Sequence, residues 1–154
     1  MNTKLPFRGN VILAWSLRGH KTALELLNAR KWRLYWAGED QGKFVTADQP
    51  VSLTWSVPSE IPPVYRHSPG LGMIDTEVLF PLTKDCLLRG RFDDMEEGEE
   101  MALAGFIARC NTRVIGKARN FVFAANKEFP YCLPSGELFW DECFLERAAP
   151  FLGR

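Results

Sequence analysis

The sequence predicts an α+β fold, in which an antiparallel sheet of about four to five strands carries two main helices on one face. Two long segments with helical periodicity precede and follow short, alternating segments bounded by turn residues, an order that favours strands packed against helices. The 154 residues include 46% hydrophobic and 25% charged side chains, which is typical of one globular domain. Tryptophans occur along the whole chain, so we predict a single domain over residues 1–154.

The first predicted elements are a helix over residues 10–32 and a strand over residues 33–37. Apolar side chains recur at helical spacing after Asn10, a residue type that caps helices. Residues 33–37 are rich in aromatic side chains, which favours a strand. Residues 43–46 are predicted to return as its partner after a glycine-containing turn.

The central segments predict further strands and one long loop. Residues 51–56 alternate polar and apolar side chains, as a half-buried strand does. The apolar set of that strand is Val51, Leu53 and Trp55. Residues 57–72 contain four prolines, which favours a loop, and loops of this length are often functional. Residues 76–80 and 86–92 are predicted to form a hairpin.

A second long helix is predicted after this hairpin. Asp93 or Asp94 is expected to cap it, and carboxylates in its first turn would stabilise its positive end. Its apolar stripe passes through Phe106 and Ile107, which we expect to be buried against the sheet. Residues 126–154 form an aromatic tail in which prolines are expected to limit regular structure.

The charge pattern indicates a protein partner. Lys+Arg and Asp+Glu balance at 19 each, which argues against a general nucleic-acid binder, because such proteins usually carry a basic excess. Residues 93–100 nevertheless hold six acidic side chains and no basic one. Clustered charge of one sign speeds encounter with an opposite charge, so we predict that a basic protein binds Glu96, Glu97, Glu99 and Glu100. An ordinary solvated helix start is the alternative interpretation.

Cysteine and histidine usage predicts neither disulfides nor a metal centre, and no cofactor motif occurs. The four cysteines show no C-x-x-C pair and no zinc spacing, so we expect reduced, buried thiols. The two histidines are isolated in the sequence. The apolar run at residues 11–17 is too short to cross a bilayer, so we predict a cytoplasmic protein that does not engage a membrane.

Four side chains are candidates for acid–base or metal chemistry: Asp48, His67, Asp75 and Glu77. Asp48 precedes Pro50 by two residues and is also a common turn former, whose carboxylate accepts from nearby amides. We expect Asp75 and Glu77 to face water. The sequence has no glycine-rich phosphate loop and no G-x-S-x-G turn, so no residue is predicted to be catalytic.

Asn111, Arg113 and Arg119 are the polar residues of interest on or near the second helix. Asn111 directly follows a residue of the apolar stripe, so we expect it to be partly buried, either bonded to a loop backbone or serving a functional role. Arg119 lies at the end of the stripe and is expected to pair with an acidic side chain or to act in function.

Three segments together carry a family resemblance. They are residues 44–51 (FVTADQPV), residues 78–88 (VLFPLTKDCLL), and Asn111 followed by residues 118–122 (ARNFV). Their order and spacing resemble the C-terminal half of the bacterial family catalogued as Domain of Unknown Function 4238, over roughly residues 28–125. The resemblance implies a bacterial source and no particular reaction. It marks four matched positions: Asp48, Pro50, Asn111 and Arg119.

The sequence departs from the family pattern in two places. Gln49 stands where the family usually has Asn. Family members also open with a histidine-containing segment that this sequence lacks, so we expect this chain not to perform any chemistry that belongs to that segment.

These observations favour a non-enzymatic protein-binding module, such as an immunity or antitoxin-type protein. One alternative is a metal-dependent hydrolase or nuclease that uses Asp48, His67, Asp75 or Glu77. Another is a nucleic-acid accessory domain that uses the basic N-terminal third with Trp15, Trp32 and Trp36. A toxin reading frame beside the gene would favour the first.

Overall fold

The chain has an α+β architecture. The computed structural model describes residues 19, 21–66, 69–93 and 95–148, and its first helix, α1, includes residues 19 and 21–28. The described residues then form β1 (Lys31–Ala37), β2 (Thr46–Ala47), β3 (Ser52–Trp55), β4 (Thr76–Thr83), β5 (Cys86–Arg91), β6 (Gly98–Ala102), α2 (Ala104–Lys117), β7 (Val122–Phe123), β8 (Phe129–Cys132), β9 (Leu138–Asp141) and α3 (Phe144–Ala148).

Five strands form the central sheet, in the order β3-β4-β5-β1-β6. Neighbouring strands pair antiparallel from β3 to β1, but β6 runs parallel to β1. The short connection after β5 carries the chain past β1, so β6 runs opposite to β5 and therefore along β1. The predicted α+β class is confirmed, whereas the prediction of an antiparallel sheet is wrong, because the sheet is mixed.

One core lies between the central sheet and the N-terminal half of α2. Its buried members are Tyr35, Phe44, Leu79, Leu87, Ala102, Ile107 and Cys110. Helical spacing places the apolar side chains of α2 on one side, so Ile107 is completely buried, as predicted. Phe106 is half-buried, and its ring stacks on that of Tyr35 with centroids 4.3 Å apart.

A second core lies between the C-terminal half of α2 and two small sheets, β2-β7 and β8-β9. Its buried members are Val45, Ala47, Val114, Ile115, Tyr131 and Phe144. The expectation of limited regular structure in the tail is wrong for the described residues, since β8, β9 and α3 lie there. Pro130 fits into β8 because its ring packs against Gly42, which has a φ of 89° and no Cβ to obstruct the ring.

The predicted boundary between the first helix and the first strand needs correction. α1 ends at residue 28, and β1 begins at Lys31. Between them, the buried Arg30 donates from Nη1 to the carbonyls of Thr76 (2.9 Å) and Gly90 (3.3 Å), which ties the chain to β4 and β5. The predicted cap Asn10 lies outside the described residues.

The predicted pairing of residues 43–46 with β1 is wrong. β1 pairs instead with β5 and β6, and β2 pairs with β7. The backbone N–H of Phe44 donates to the carbonyl of Lys84 at 2.8 Å, so this segment is held beside the β4–β5 turn. The position of residues 43–46 is therefore set by contacts with segments far away in the sequence, the β4–β5 turn and β7, and not by the neighbouring strand β1.

The acidic run does not begin a helix, contrary to the prediction. Its second half belongs to β6, and α2 starts only at Ala104, whose N–H donates to Oε1 of Gln41 at 2.9 Å. Pairing with β1 satisfies the backbone of β6, and this tertiary pairing overrides the local helical pattern. Asp93 precedes β6, and Asp94 lies outside the described residues.

Strand β3 confirms the predicted strand but presents its other face to the core. Ser52 and Thr54 are buried, whereas Leu53 and Trp55 are half-buried and Val51 is exposed. The apolar side chains of β3 do not face the core because the inner face of the sheet carries the buried side chain of Glu77, which lies in β4 directly opposite Thr54. The described residues include no helix with the length and apolar character needed to span a bilayer. All four cysteines are free, as predicted, and two of them are buried.

Candidate functional site

Asp48 joins the turn after β2 to the segment that follows α2. Its carboxylate accepts from the backbone N–H groups of Arg119 (2.9 Å) and Asn120 (2.8 Å), and its own N–H donates to the carbonyl of Phe121 (3.0 Å). The hydrogen bonds to the carboxylate, that from Arg119 first, lower the pKa of Asp48. Asp48 is therefore an ionised acceptor for amides 71 and 72 positions away, and not for amides of its own turn.

Gln49 and Arg119 form a second link at the same place. In the amide orientation that satisfies both partners, the Gln49 side chain donates to the carbonyl of Lys117 (3.1 Å) and accepts from Nε of Arg119 (2.8 Å). The Arg119 guanidinium thus contacts an amide where an acidic partner was expected.

Asn111 is buried in α2 and bonds to two backbone segments. Its Oδ1 accepts from the N–H of Val45 at 3.0 Å, and its Nδ2 donates to the carbonyls of Lys43 (3.0 Å) and Pro130 (2.9 Å). The expected burial is found, and the bonds to loop backbone support the structural interpretation of this residue. Two of these backbone groups are buried and that of Lys43 is partly buried, so Asn111 fixes both small sheets to α2 by bonds that water cannot readily replace.

A cleft of about 490 Å³ lies beside this framework. Its walls include Ile115, Arg119, Phe121, Phe129, Glu142 and Phe144. Phe121 is exposed, so the cleft has an apolar rim. The matched positions Asp48 and Asn111 hold the backbone that shapes this region, and only Arg119 among the matched positions lines the cleft.

Glu77 is at the centre of a buried charge network that the sequence did not predict. Its side chain is 0% exposed, so the expectation that it faces water is wrong. Oε2 accepts from Nη2 and Nε of Arg89 on β5, at 2.5 and 2.7 Å, and Oε1 pairs with Arg113 of α2. Arg113 also donates to the carbonyl of Ser56 at 2.9 Å. Burial lowers the pKa of Arg113.

Two guanidiniums therefore share one carboxylate, and the network carries a net positive charge. It links the central sheet to α2, because Glu77 and Arg89 come from β4 and β5 whereas Arg113 comes from the helix. A buried carboxylate with two cationic partners is an ion-pair centre and does not have the arrangement of a free general base.

The remaining acid–base candidates do not join this network. Asp75 is exposed, as expected, and its carbonyl accepts from the N–H of Ser56 at 2.9 Å. His67 lies outside the described residues. Within the part of the chain that the structure describes, no three side chains from histidine, cysteine, aspartate and glutamate are grouped to hold a metal ion.

The acidic side chains around β6 contact residues of β1. Arg33 pairs with Glu100 (2.5 Å) and with Glu96 (3.5 Å). Glu97 accepts from the backbone N–H of Trp32 at 3.3 Å, and Glu99 accepts from Nε1 of Trp36 at 2.9 Å. Trp32 and Trp36, considered above for nucleic acid, are thus engaged on the sheet next to carboxylates. Trp15 lies outside the described residues.

Sequence reasoning missed Arg89 and Arg109, and it singled out Arg113 without giving it a role. Arg89 follows two leucines in β5 and shares a strand face with the buried Leu87, because side chains two apart in a strand point the same way. Arg113 lies two positions after Asn111 in α2. Their meeting at Glu77 depends on how β4 and β5 pair, which the sequence alone does not set.

No curated protein and no solved structure matches this chain. A sequence model of the family described as "Protein of unknown function (DUF4238)" matches residues 10–128. That span includes β1 to β7 and α2, together with Asp48, Asn111 and the Glu77 network. By this match the chain belongs to the DUF4238 family of proteins of unknown function.

Proposed function

We propose that this chain is a non-enzymatic protein-binding module, of the immunity or antitoxin type, which binds a basic segment of a partner protein. The outer edge of β6 carries the proposal. No other strand of the described residues pairs with that edge. Open N–H and C=O groups on an edge strand can accept an extended segment as an additional strand.

Charge around the edge favours a basic partner. The described carboxylates in β6 and in the segment that precedes it are Asp93, Glu96, Glu97, Glu99 and Glu100. Ion pairs with Arg33 and Arg91 account for three of these carboxylates, while Glu97 and Glu99 accept from neutral N–H groups. Complementary charge speeds association and selects among partners.

Exposed apolar side chains lie at the end of the same edge. Met101 is 62% exposed and Leu103 is 71% exposed. A segment that alternates basic and apolar residues would match both features, because the side chains of a strand alternate between its faces. A toxin with a basic surface strand belongs to this class of partner.

Defined peptides test this proposal without a known partner. The probe is a short peptide that alternates lysine and valine, with fluorescence anisotropy as the readout. Two control peptides are used. A peptide that alternates glutamate and valine tests the charge requirement. A lysine–valine peptide with a methyl group on every second backbone nitrogen tests strand pairing, because N-methylation removes the N–H groups that donate to a neighbouring strand. We expect only the unmodified basic peptide to bind, with an association rate that falls as salt rises.

Two matched variants locate the binding surface. Glu97→Gln with Glu99→Gln removes charge but keeps an acceptor for each tryptophan, and we expect it to slow association. Glu60→Gln with Glu137→Gln removes the same charge from exposed positions elsewhere and should leave association unchanged. The proposal would be overturned if the acidic or the N-methylated peptide bound as tightly as the unmodified basic peptide. It would also be overturned if both double variants slowed association of the basic peptide equally.

A further inference from the structure

A cleft of about 450 Å³ lies between the end of β6 and the first turns of α2. The residues that line it include two cations, Arg89 and Arg109, one carboxylate, Glu100, and the aromatic and apolar side chains of Tyr35, Leu103 and Phe106. Two cationic groups and one carboxylate therefore face the cleft beside apolar side chains. Its volume lies within the range of small-molecule sites, about 300–1,000 Å³.

Arg89 forms a fixed cation at one wall of this cleft. Glu77 orients its guanidinium through Nε (2.7 Å) and Nη2 (2.5 Å). The remaining nitrogen, Nη1, has a contact of 3.5 Å with the hydroxyl of Tyr35, a long distance that leaves donor capacity for another acceptor. The Phe106 ring lies 5.5 Å from the Arg89 Cζ and limits its movement.

Arg109 is a second and more available cation. It is exposed on α2 and makes no ion pair with any described residue. Glu77 is already shared by Arg89 and Arg113, and Glu100 at the opposite wall pairs with Arg33 at 2.5 Å. The carboxylates near the cleft are thus engaged, and positive charge remains at Arg109 and in the Glu77 network.

We propose that this cleft binds a small oxyanion, a carboxylate or a phosphate ester, that is attached to an apolar group. The guanidiniums of Arg89 and Arg109 bind the oxyanion, because their planar donor sets match carboxylate and phosphate oxygens. Leu103 and Phe106 contact the apolar group. This site borders the outer edge of β6 and shares Glu100 and Leu103 with it, but it requires a ligand of the opposite charge and does not depend on the proposed function.

Four probes separate the possible ligand classes by isothermal titration calorimetry: benzoate, phenyl phosphate, benzyl alcohol and inorganic phosphate. We expect one or both aromatic anions to bind and benzyl alcohol not to bind. Tighter binding of phenyl phosphate assigns a phosphate ester, and tighter binding of benzoate assigns a carboxylate. Inorganic phosphate that binds as tightly as phenyl phosphate would overturn the assignment of an apolar group.

The decisive variant is Arg109→Gln, with Lys127→Gln as a control for charge at an exposed position outside the cleft. We expect Arg109→Gln to weaken anion binding roughly tenfold to hundredfold, as for loss of hydrogen bonds to a charged group. Since Arg109 is exposed, the thermal midpoint should not change. Unchanged affinity in Arg109→Gln, or an equal loss in Lys127→Gln, would overturn the proposal.

Discussion

Replacing Glu77 by glutamine tests the buried charge network directly. Glutamine keeps the size of the side chain but removes the negative charge that Arg89 and Arg113 share. The two guanidiniums then face one another with no carboxylate, and their side chains are only 15% and 21% exposed. Water therefore cannot fully replace the lost partner.

The structure sets the size of the expected effect. Removing one partner of a buried ion pair typically costs about 3–5 kcal/mol, because the remaining charge is left uncompensated. Glu77→Gln affects two pairs at once, but partial exposure of both guanidiniums keeps the expected loss within that range. For a domain of this size, a loss of about 3–5 kcal/mol lowers the thermal midpoint by roughly 6–20 °C.

Urea unfolding followed by tryptophan fluorescence measures the free energy, and thermal unfolding followed by circular dichroism measures the midpoint. Glu60→Gln, at an exposed position, is the control and should change the free energy by less than about 0.5 kcal/mol. Replacing Glu77, Arg89 and Arg113 together by leucine and methionine should recover much of the loss, since no buried charge remains. A loss below about 1 kcal/mol in Glu77→Gln would refute the reasoning.

Three further predictions concern Asn111, Asp48 and the cysteines. Asn111→Ala removes the partner of two buried backbone groups and one partly buried backbone group, and it should cost about 3–5 kcal/mol in urea unfolding. The exposed Asn126→Ala should cost almost nothing. Because the pKa of Asp48 is lower in the folded chain than in the unfolded chain, its ionised carboxylate stabilises the fold at pH values above the unfolded-state pKa. This contribution is lost as the pH falls through the folded-state pKa. The difference in free energy of unfolding between wild type and Asp48→Asn should therefore shrink below about pH 4. Intact-mass analysis after alkylation of the unfolded protein without reductant should find four modified thiols, and fewer would contradict the free cysteines.

Local patterns in the sequence were enough to predict α2 and the β4–β5 hairpin. In α2, apolar side chains at helical spacing place Ile107 in the core, and no distant contact opposes that pattern. The acidic run before α2 shows the reverse case. Its glutamates are compatible with a helix start, but backbone pairing with β1 makes it a strand. A parallel pair between segments about 65 residues apart leaves no local signal.

The candidate sites were harder to predict than the elements that carry them. Asn111 could be expected to be buried from its place beside the apolar stripe. The partners of Glu77 could not be predicted, because Arg91 lies directly opposite Glu77 in the strand pairing while Arg89 is its diagonal neighbour. The irregular register between Pro81 and Thr83 sets this alignment, and a slip of one residue would turn Glu77 to the other face.

Glu100 lies where the two proposed sites meet, so one substitution should affect them in opposite directions. It borders the β6 edge, lines the cationic cleft and pairs with Arg33. Glu100→Gln removes a carboxylate that favours the basic peptide and frees positive charge on Arg33 next to the anion site. Compared with wild type, we expect Glu100→Gln to bind the lysine–valine peptide a few-fold more weakly and the aromatic anion a few-fold more tightly. Changes of this size are expected because one exposed ion pair contributes little binding free energy. Both affinities are measured on one preparation, so that misfolding would appear as weaker binding of both ligands. Weaker binding of the anion in a variant with an unchanged thermal midpoint would contradict the assignment of Glu100 as a negative charge that opposes the anion.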